Sequence, residues 1–160
     1  MLNFALGLAL FALSSYIGLR YKKRCVLRAS FYSELYDFAS YLAEQIAYSK
    51  TPLPALFKSF SLGKESAFAE LLTAYFAELV GKIPEEYKVK GLSEAEKTEL
   101  FTFFRNLGKS DAERELARLA ESKQRFKIKK ETAEKEVGQK GKLYFKLAVI
   151  IGIALMIIVL

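Results

Sequence analysis

The sequence predicts an all-α protein: a cytosolic antiparallel helical bundle flanked by an N-terminal and a C-terminal transmembrane helix. Three observations lead to this fold class. Apolar runs occupy both ends of the 160-residue chain. Between them, apolar residues recur at steps of three and four, which places them on one helical face. No window shows the sustained period-two alternation that is typical of a half-buried strand.

The first apolar run extends from Leu2 to Leu19 and carries no charge. At about 1.5 Å per residue its helix would be about 27 Å long, close to the thickness of a hydrocarbon core. Basic residues follow the run rather than precede it, which favours an uncleaved anchor over a cleaved signal peptide. Residues 1–19 are therefore predicted to be a transmembrane helix. An interfacial anchor is the alternative, because the run contains Ser14 and Ser15.

The second apolar run, residues 143–160, is the stronger of the two. Lys146 is its one charged residue, and it lies near the start of the run, where its side chain can reach the interface. The alternative, a buried core helix, would need a folded domain around the segment. We therefore predict a second transmembrane helix at residues 143–160.

Two basic flanks set the predicted orientation. One flank follows the first apolar run and the other begins just before the second run. Basic flanks of this kind stay on the cytosolic side of a membrane. The predicted membrane-surface residues are Arg20, Lys22, Lys23, Arg24, Arg28, Lys140, Lys142 and Lys146. The sequence thus predicts a multi-pass membrane protein with the bulk of its chain in the cytosol and membrane lipids as one partner.

The formal net charge of +7 is concentrated beside the two apolar runs. Residues 20–28, the predicted basic juxtamembrane segment, hold five basic and no acidic side chains, and residues 123–146 hold nine basic and three acidic ones. Residues 29–122 carry a net charge of −4. Each basic residue near an anionic leaflet gains about 1 kcal/mol. The lipid surface therefore accounts for the charge, and nucleic acid is not an expected partner.

Residues 29–122 are predicted to form the cytosolic helical bundle. Its first helix runs from Ala29 to Lys50, with an apolar stripe wide enough for burial against more than one neighbour. Thr51 can cap a short second helix that ends near Gly63, because a first turn tolerates proline. The aromatic side chains of the first helix are assigned to the core, and a partner-binding strip is the alternative.

Three further helices are predicted after the second. One runs from about Ser66 to Val80, and a polar connector, Glu85–Gly91, follows it. Ser93 and Glu96 have the spacing of a capping box that begins the fourth helix. The fifth helix begins at a second capping box, formed by Ser110 and Glu113.

The fifth helix changes character along its length. Its apolar residues have heptad-like spacing, but Lys123 and Lys130 occupy two places in that series. Residues 123–142 are therefore predicted to be a basic helical arm that leads into the membrane.

The composition excludes several classes of site. The chain has no histidine and a single cysteine, Cys25, so it holds neither a cysteine or histidine metal cluster nor an internal disulfide. Catalysis that depends on histidine is excluded for the same reason. Cys25 lies in the basic flank, where the reducing cytosol explains an unpaired thiol. We expect no metal and no cofactor.

Two motifs suggest chemistry, and neither fits an active site. The residues Gly108–Ser110 match the last three residues of a phosphate-binding P-loop. That loop also needs a glycine five residues earlier, where this chain has Phe103. A helix end followed by a helix start explains the motif. Paired carboxylates fit a connector and the solvated face of a capped helix better than acid–base catalysis; they are Glu85, Glu86, Glu94, Glu96 and Glu99. The protein is therefore predicted not to be an enzyme.

Two motifs carry a resemblance to a known family. TPLPALF at residues 51–57 opens the second helix, and FFRNLGKSDAERE at residues 103–115 precedes the long basic helix. With the length and the terminal apolar runs, they make the chain resemble stage III sporulation protein AB. This family resembles the cytosolic domain of type II secretion F proteins, and the resemblance covers nearly the whole chain in layout.

The resemblance implies a function. The protein would be a platform or scaffold subunit of the channel complex between mother cell and forespore, placed in the mother-cell membrane around the forespore. Its cytosolic domain would dock a secretion-type ATPase or other membrane subunits of the complex. The alternatives are a secretion or pilus platform-type adaptor outside sporulation and a lipid-binding membrane protein. A homo-oligomer is left open.

We place the docking face on two capped turns, because rigid turns present side chains at low entropic cost. The predicted partner-binding residues are Thr51, Pro52, Leu53, Pro54, Leu56, Gly108, Lys109, Ser110 and Asp111.

Overall fold

The computed structural model describes residues 2–48, 51–79 and 91–159, with side chains for 5–48, 51–76 and 91–158. Every regular element in these ranges is helical, which confirms the predicted all-α class. The helices are α1 (Leu2–Tyr48), α2 (Leu53–Ser61), α3 (Ala67–Leu79), α4 (Glu94–Asn106), α5 (Ala112–Glu136) and α6 (Lys142–Val159), with a π-helical turn at Val137–Gly141. Lys50, the end predicted at Val80 and the connector up to residue 90 lie outside the described residues.

The contacts divide the chain into two units. The terminal unit comprises residues 1–29 and 131–160, and the helical domain comprises residues 30–130. Residues 123–130, which the sequence assigns to the basic arm, thus belong to the helical domain. The physical reason is Phe126, which is buried with its ring centroid 5.0 Å from that of Phe103.

In the terminal unit, the first half of α1 and α6 lie side by side and run in opposite directions. Gly7 lies against Met156 and Gly18 against Ala148, so positions rise along one helix as they fall along the other. The Ser14 hydroxyl donates a hydrogen bond to the Ala148 carbonyl. An added Cβ at Gly18 would lie only 2.7 Å from the Ala148 Cβ, so the two backbones approach closely where side chains are small.

The outer faces of both helices in the terminal unit are apolar. Large exposed side chains on α1 include Leu6, Leu8, Leu13, Ile17 and Leu19, and those on α6 include Leu147, Ile150, Ile151, Ile153, Ile157 and Ile158. The continuous helix Ala112–Ile158 is long and apolar enough to cross a membrane, and it is the one such helix among the described residues. Only 11% of its most apolar stretch is buried within the protein, unlike a core helix.

The core of the helical domain is aromatic. Phe38 of α1 is fully buried, and it meets rings of three other helices. Its ring centroid lies 5.4 Å from that of Phe57 and 5.0 Å from that of Phe60 in α2. The corresponding distances are 5.6 Å to Phe68 in α3 and 6.2 Å to Phe104 in α4. This burial agrees with the assignment of the first helix's aromatic stripe to the core.

The contacts also give the helix directions in this domain. Helices α4 and α5 run in opposite directions, since Glu99 pairs with Lys129 and Asn106 with Arg118. Along α1 and α4 the contacts advance together: the Tyr32 hydroxyl donates to Glu96 at 2.7 Å, six positions before Phe38 meets Phe104. Helices α1 and α4 are therefore a parallel pair, so these two neighbours do not follow the predicted antiparallel arrangement.

The helix starts agree only in part with the predicted caps. Ser93 and Glu96 form the predicted capping box, with both reciprocal hydrogen bonds present. The N-cap of α2 is Pro52 rather than Thr51, and it makes no side-chain capping bond. The predicted second capping box is not formed, because α5 begins at Ala112 and its first helical bond goes to the Asp111 carbonyl. The helix thus starts one residue later than a cap at Ser110 requires.

The two lysines that interrupt the apolar series of α5 have a structural explanation. The ammonium groups of Lys123 and Lys130 lie 5.5 and 5.3 Å from the centroid of the Tyr36 ring. A ring face attracts a cation at this range. These lysines therefore pack against α1 at positions where an apolar residue would be expected.

Candidate docking surface

The two motifs that the sequence predicts to bind a partner lie against each other in the helical domain. Gly108, in the turn between α4 and α5, contacts Leu53 at the start of α2: a Cβ added to this glycine would overlap the leucine Cδ1. The sequence separates the two positions by more than fifty residues. The fold thus combines two turns into one surface, which we call the two-turn surface and define as residues 51–54 and 108–111.

On the α2 side of this surface, the backbone enters the helix through Pro52, with φ −60° and ψ 139°. Thr51, Pro52 and Pro54 are exposed, and Leu53 is half-buried against the other turn. Leu56 does not reach the surface, because its side chain is 2% exposed and belongs to the core. The predicted docking role of Leu56 is therefore corrected to a packing role.

On the α4–α5 side, buried charge holds the turn. Gly108 has φ +73°, a conformation that glycine adopts at little cost, and its N–H donates to Glu115 Oε1 at 3.2 Å. The same oxygen accepts from Arg118 at 2.6 Å, and Arg118 also donates to the Asn106 carbonyl. Glu115 is 3% exposed. A buried carboxylate and its guanidinium thus fix the backbone on both sides of Leu107.

The tip of this turn is open to solvent. Lys109, Ser110 and Asp111 are all exposed. Asp111 makes a solvent-exposed pair with Arg114 at 3.5 Å, and such a pair contributes little to stability. These side chains can therefore exchange their present contacts for contacts with a partner at small cost.

Gly108→Ala should destabilise the helical domain more than Gly63→Ala does. Both glycines have nearly the same positive φ, 73° and 74°, so the alanine pays the same backbone cost of about 1–2 kcal/mol at each. Only Gly108 also faces Leu53, whereas nothing lies within 4 Å of a Cβ at Gly63. Chemical unfolding followed by circular dichroism measures the difference. Equal losses in the two variants would contradict the contact between the turns.

The predicted membrane-surface residues lie where α1 packs beside the π-helical turn and the start of α6. Arg28 pairs with Glu136, and Lys140 donates to the same carboxylate at 3.1 Å. The hydrogen bond with Glu136 raises the pKa of Lys140 above its ordinary value. The Lys22 ammonium lies 5.7 Å from the centroid of the Phe145 ring.

The other members of this basic set are solvent-facing. The Arg20 guanidinium lies 5.7 Å from the Tyr16 ring centroid. Exposed side chains of the set are Arg20, Lys23, Arg24, Lys140, Lys142 and Lys146. The Tyr21 and Tyr144 rings lie beside these residues, tilted by 59° to each other with their centroids 4.7 Å apart. Basic and tyrosine side chains in one region are typical of a membrane–water interface.

The acidic residues considered for catalysis have structural partners. Glu96 closes the α4 cap, Glu99 pairs with Lys129, and Glu94 pairs with Lys97 at 2.7 Å. Glu85 and Glu86 lie outside the described residues. Within the described ranges, no group of three or more histidine, cysteine, aspartate or glutamate side chains could hold a metal ion.

Sequence reasoning missed the Glu115–Arg118 pair that supports the α4–α5 turn. The pair has the i, i+3 spacing of many exposed helix pairs, and no feature of the sequence marks Glu115 as buried. It also missed the bond from the Tyr75 hydroxyl to the Phe104 carbonyl at 2.9 Å. The tyrosine bond joins two separate helices, and the burial of Glu115 depends on tertiary packing, so only the packed structure identifies either feature.

Fold and surface together define an all-α protein that has an apolar helical hairpin and an aromatic-cored helical domain with an exposed two-turn surface. The family model of stage III sporulation protein AB matches residues 3–160, so the chain belongs to that family. This membership confirms the resemblance and supports a role in sporulation. Searches of curated proteins and of solved structures found no match.

Proposed function

We propose that this protein is a membrane-anchored scaffold subunit of the channel complex between mother cell and forespore. Its terminal helices anchor it in the mother-cell membrane around the forespore, and its helical domain docks a secretion-type ATPase in the cytosol. The observation that carries the proposal is the two-turn surface, in which Leu53 and Gly108 bring together the two motifs most specific to the family.

Among the described residues, one helix is long and apolar enough to cross a membrane, and it ends with α6. The proposal adds the first half of α1 as a second membrane-spanning helix. Three features support the second span. The α1 segment pairs with α6 along a seam of small residues, its outer side chains are large and apolar, and its Tyr21 ring lies beside that of Tyr144. A lone apolar helix would not need a matched partner of this kind. The basic flanks support a cytosolic helical domain, because such flanks favour the cytosolic side of a membrane.

The docking part rests on the rigidity and chemistry of the two-turn surface. Buried Glu115 fixes the α4–α5 turn, and Pro52 fixes the entry to α2. Preorganised groups lose little conformational entropy when they bind. The exposed tip offers one cation and one anion, Lys109 and Asp111, so it can be complementary to a surface that carries both signs.

Binding of the full-length protein, in detergent micelles, to the secretion-type ATPase of the same sporulation system tests this function. We expect Asp111→Lys to weaken binding about tenfold or more, because reversing a charge at an interface creates repulsion as well as losing attraction. Asp37→Lys makes the same charge change at an exposed site on α1 and should leave binding unchanged. Calorimetry at two salt concentrations distinguishes specific docking from non-specific electrostatic attraction, which salt weakens.

Two results would contradict the proposal. Absence of binding by the folded wild-type protein would remove the ATPase as its partner. Equal loss in the Asp111 and Asp37 variants would mean that net charge, rather than the two-turn surface, determines binding.

A further inference from the structure

A cavity of about 180 Å³ opens between α4 and α5 on the helical domain. A cavity of about 150 Å³ is large enough to admit a molecule such as benzene, so this one has room for a short side chain. Its lining residues are Glu99, Thr102, Phe103, Asn106, Arg118, Ser122, Arg125 and Phe126. It is separate from the two-turn surface, which shares none of these residues.

Ser122 is the unusual member of this lining. It is 4% exposed, and its hydroxyl has no hydrogen-bond partner among the described residues. Three other helical hydroxyls of the domain, those of Ser40, Thr73 and Thr102, donate to the carbonyl four residues earlier. The enclosed side-chain atoms without a partner among the described residues are Ser15 Oγ and Glu115 Oε2, so the Ser122 oxygen is not sealed off but faces the open cavity that it lines. Ser122 therefore offers a donor to whatever fills the cavity.

Two arginines, Arg118 and Arg125, and one carboxylate, Glu99, line the cavity, and each has an ion-pair partner. Glu115 offsets Arg118, and Lys129 offsets Glu99. Arg125 pairs with Glu121 at 3.6 Å, and the side chains of this pair are 54% and 70% exposed. Exposed pairs of this kind are weak, so the Arg125 guanidinium can turn to a new anion. One available positive charge fits a monoanion better than a doubly charged phosphate.

The walls of the cavity favour an anion on an apolar stem. Phe103 is 8% and Phe126 4% exposed, and their rings form an edge-to-face pair. Methylene groups packed on these rings would gain apolar burial while a charged end reached the donors. A carboxylate on a short aliphatic chain, as in glutamate, has both parts.

We propose that this cavity binds the carboxylate of a glutamate side chain presented by a partner protein, with Ser122 and Arg125 as its donors. The origin of the glutamate in a partner rests on the scaffold function proposed above. The carboxylate chemistry rests on the cavity alone.

The probe for the test is N-acetyl-glutamate N-methylamide, which presents a glutamate side chain as a protein does. The full-length protein in non-ionic detergent is labelled with ¹⁵N at arginine, and the Nε–H resonances are followed during titration. We expect saturable shifts for Arg125 and Arg118. The matching glutamine compound and inorganic phosphate should bind at least about tenfold more weakly, because neither provides a single carboxylate for the guanidinium.

Ser122→Ala and Arg125→Gln should each weaken glutamate binding about tenfold, the effect of losing one hydrogen bond to a charged group. Ser122→Ala should leave thermal stability unchanged or higher, since it removes an unpaired hydroxyl. A merely structural serine would instead lower it. Arg105→Gln, at an exposed position of α4 outside the cavity, is the control and should bind the probe normally.

Three results would overturn the inference: equal binding of the glutamine compound, tighter binding of phosphate, or full binding by Ser122→Ala and Arg125→Gln. The ATPase measurement separates the two proposals. If the glutamate compound needs Ser122 for binding but the ATPase does not, the ATPase is excluded as the source of the glutamate, and the carboxylate site itself is supported. If the protein fails to bind the glutamate compound but still binds the ATPase, the cavity proposal is overturned and the proposal for the two-turn surface stands.

Discussion

Replacing Phe38 by alanine should lower the free energy of unfolding of the helical domain by about 3–5 kcal/mol, the usual cost of a Phe→Ala change in a core. The effect should be near the upper end, because the ring is 0% exposed and contacts aromatic rings from three other helices. Little of the cavity left behind can collapse when its walls belong to separate helices. Chemical unfolding of the full-length protein in detergent, followed by circular dichroism, measures the change.

Tyr48→Ala is the matched control for Phe38→Ala. It also removes an aromatic ring from α1, but at a position 90% exposed, where surface substitutions usually change stability by no more than about 0.5 kcal/mol. Similar losses in the two variants would mean that Phe38 is not at the centre of the core. The position of α1 among its neighbours would then be wrong.

A Gly141→Cys variant should form a disulfide with Cys25 almost completely under mild oxidation by copper phenanthroline. A Cβ built at Gly141 lies 3.9 Å from the Cys25 Cβ, close to the mean separation in disulfides of about 3.8 Å. Cys25 is the single native cysteine, so an intramolecular bridge in this variant has one identity. Mass spectrometry of the unreduced full-length chain measures the fraction bridged.

Gly138→Cys provides the control for this cross-link. It introduces a thiol in the same π-helical turn, but a Cβ there has no neighbour within 4 Å. We expect little intramolecular bridging. Bridging at equal rates, or mainly between molecules in the Gly141 variant, would exclude the antiparallel register that pairs α1 with the start of α6.

This register explains why the terminal unit needs its glycines. Gly18 and Gly152 face Ala148 and Phe11, and an added Cβ would come within 2.7 and 3.0 Å of those residues. In the membrane-spanning hairpin proposed above, there would be little hydrophobic drive between the helices, so close backbone packing would supply the association. The sequence shows that glycines lie in the apolar runs. Only the structure shows which residue of the other helix each glycine contacts.

Several features of the fold could be predicted from local signals. The helical period, the capping box at Ser93 and Glu96, and the apolar series through Phe126 each depend on residues within a turn or two of one another. Such signals act before tertiary contacts form. They were less reliable at Thr51 and Ser110, because a neighbouring residue can take the capping position at little cost.

The candidate site was predictable only in its parts. The sequence identified Thr51–Pro54 and Gly108–Asp111 as turns, and the structure joined them through Leu53 and Gly108. It placed Leu56 on the surface because a turn was expected to be exposed, whereas α2 turns that side chain into the core. Which face of a nine-residue helix is buried depends on its neighbours as well as on its own pattern.

The sequence by itself determined the all-α class, the apolar terminal runs, the basic flanks and the family, because each depends on residue type and short spacing. Only the tertiary structure decided the register of Gly18 on Ala148, the aromatic centre at Phe38, the burial of Glu115 and the cavity at Ser122. These features depend on contacts between residues distant in the chain. Such contacts depend on the shape and charge of the assembled helices, and they cannot be predicted from the local spacing of apolar residues.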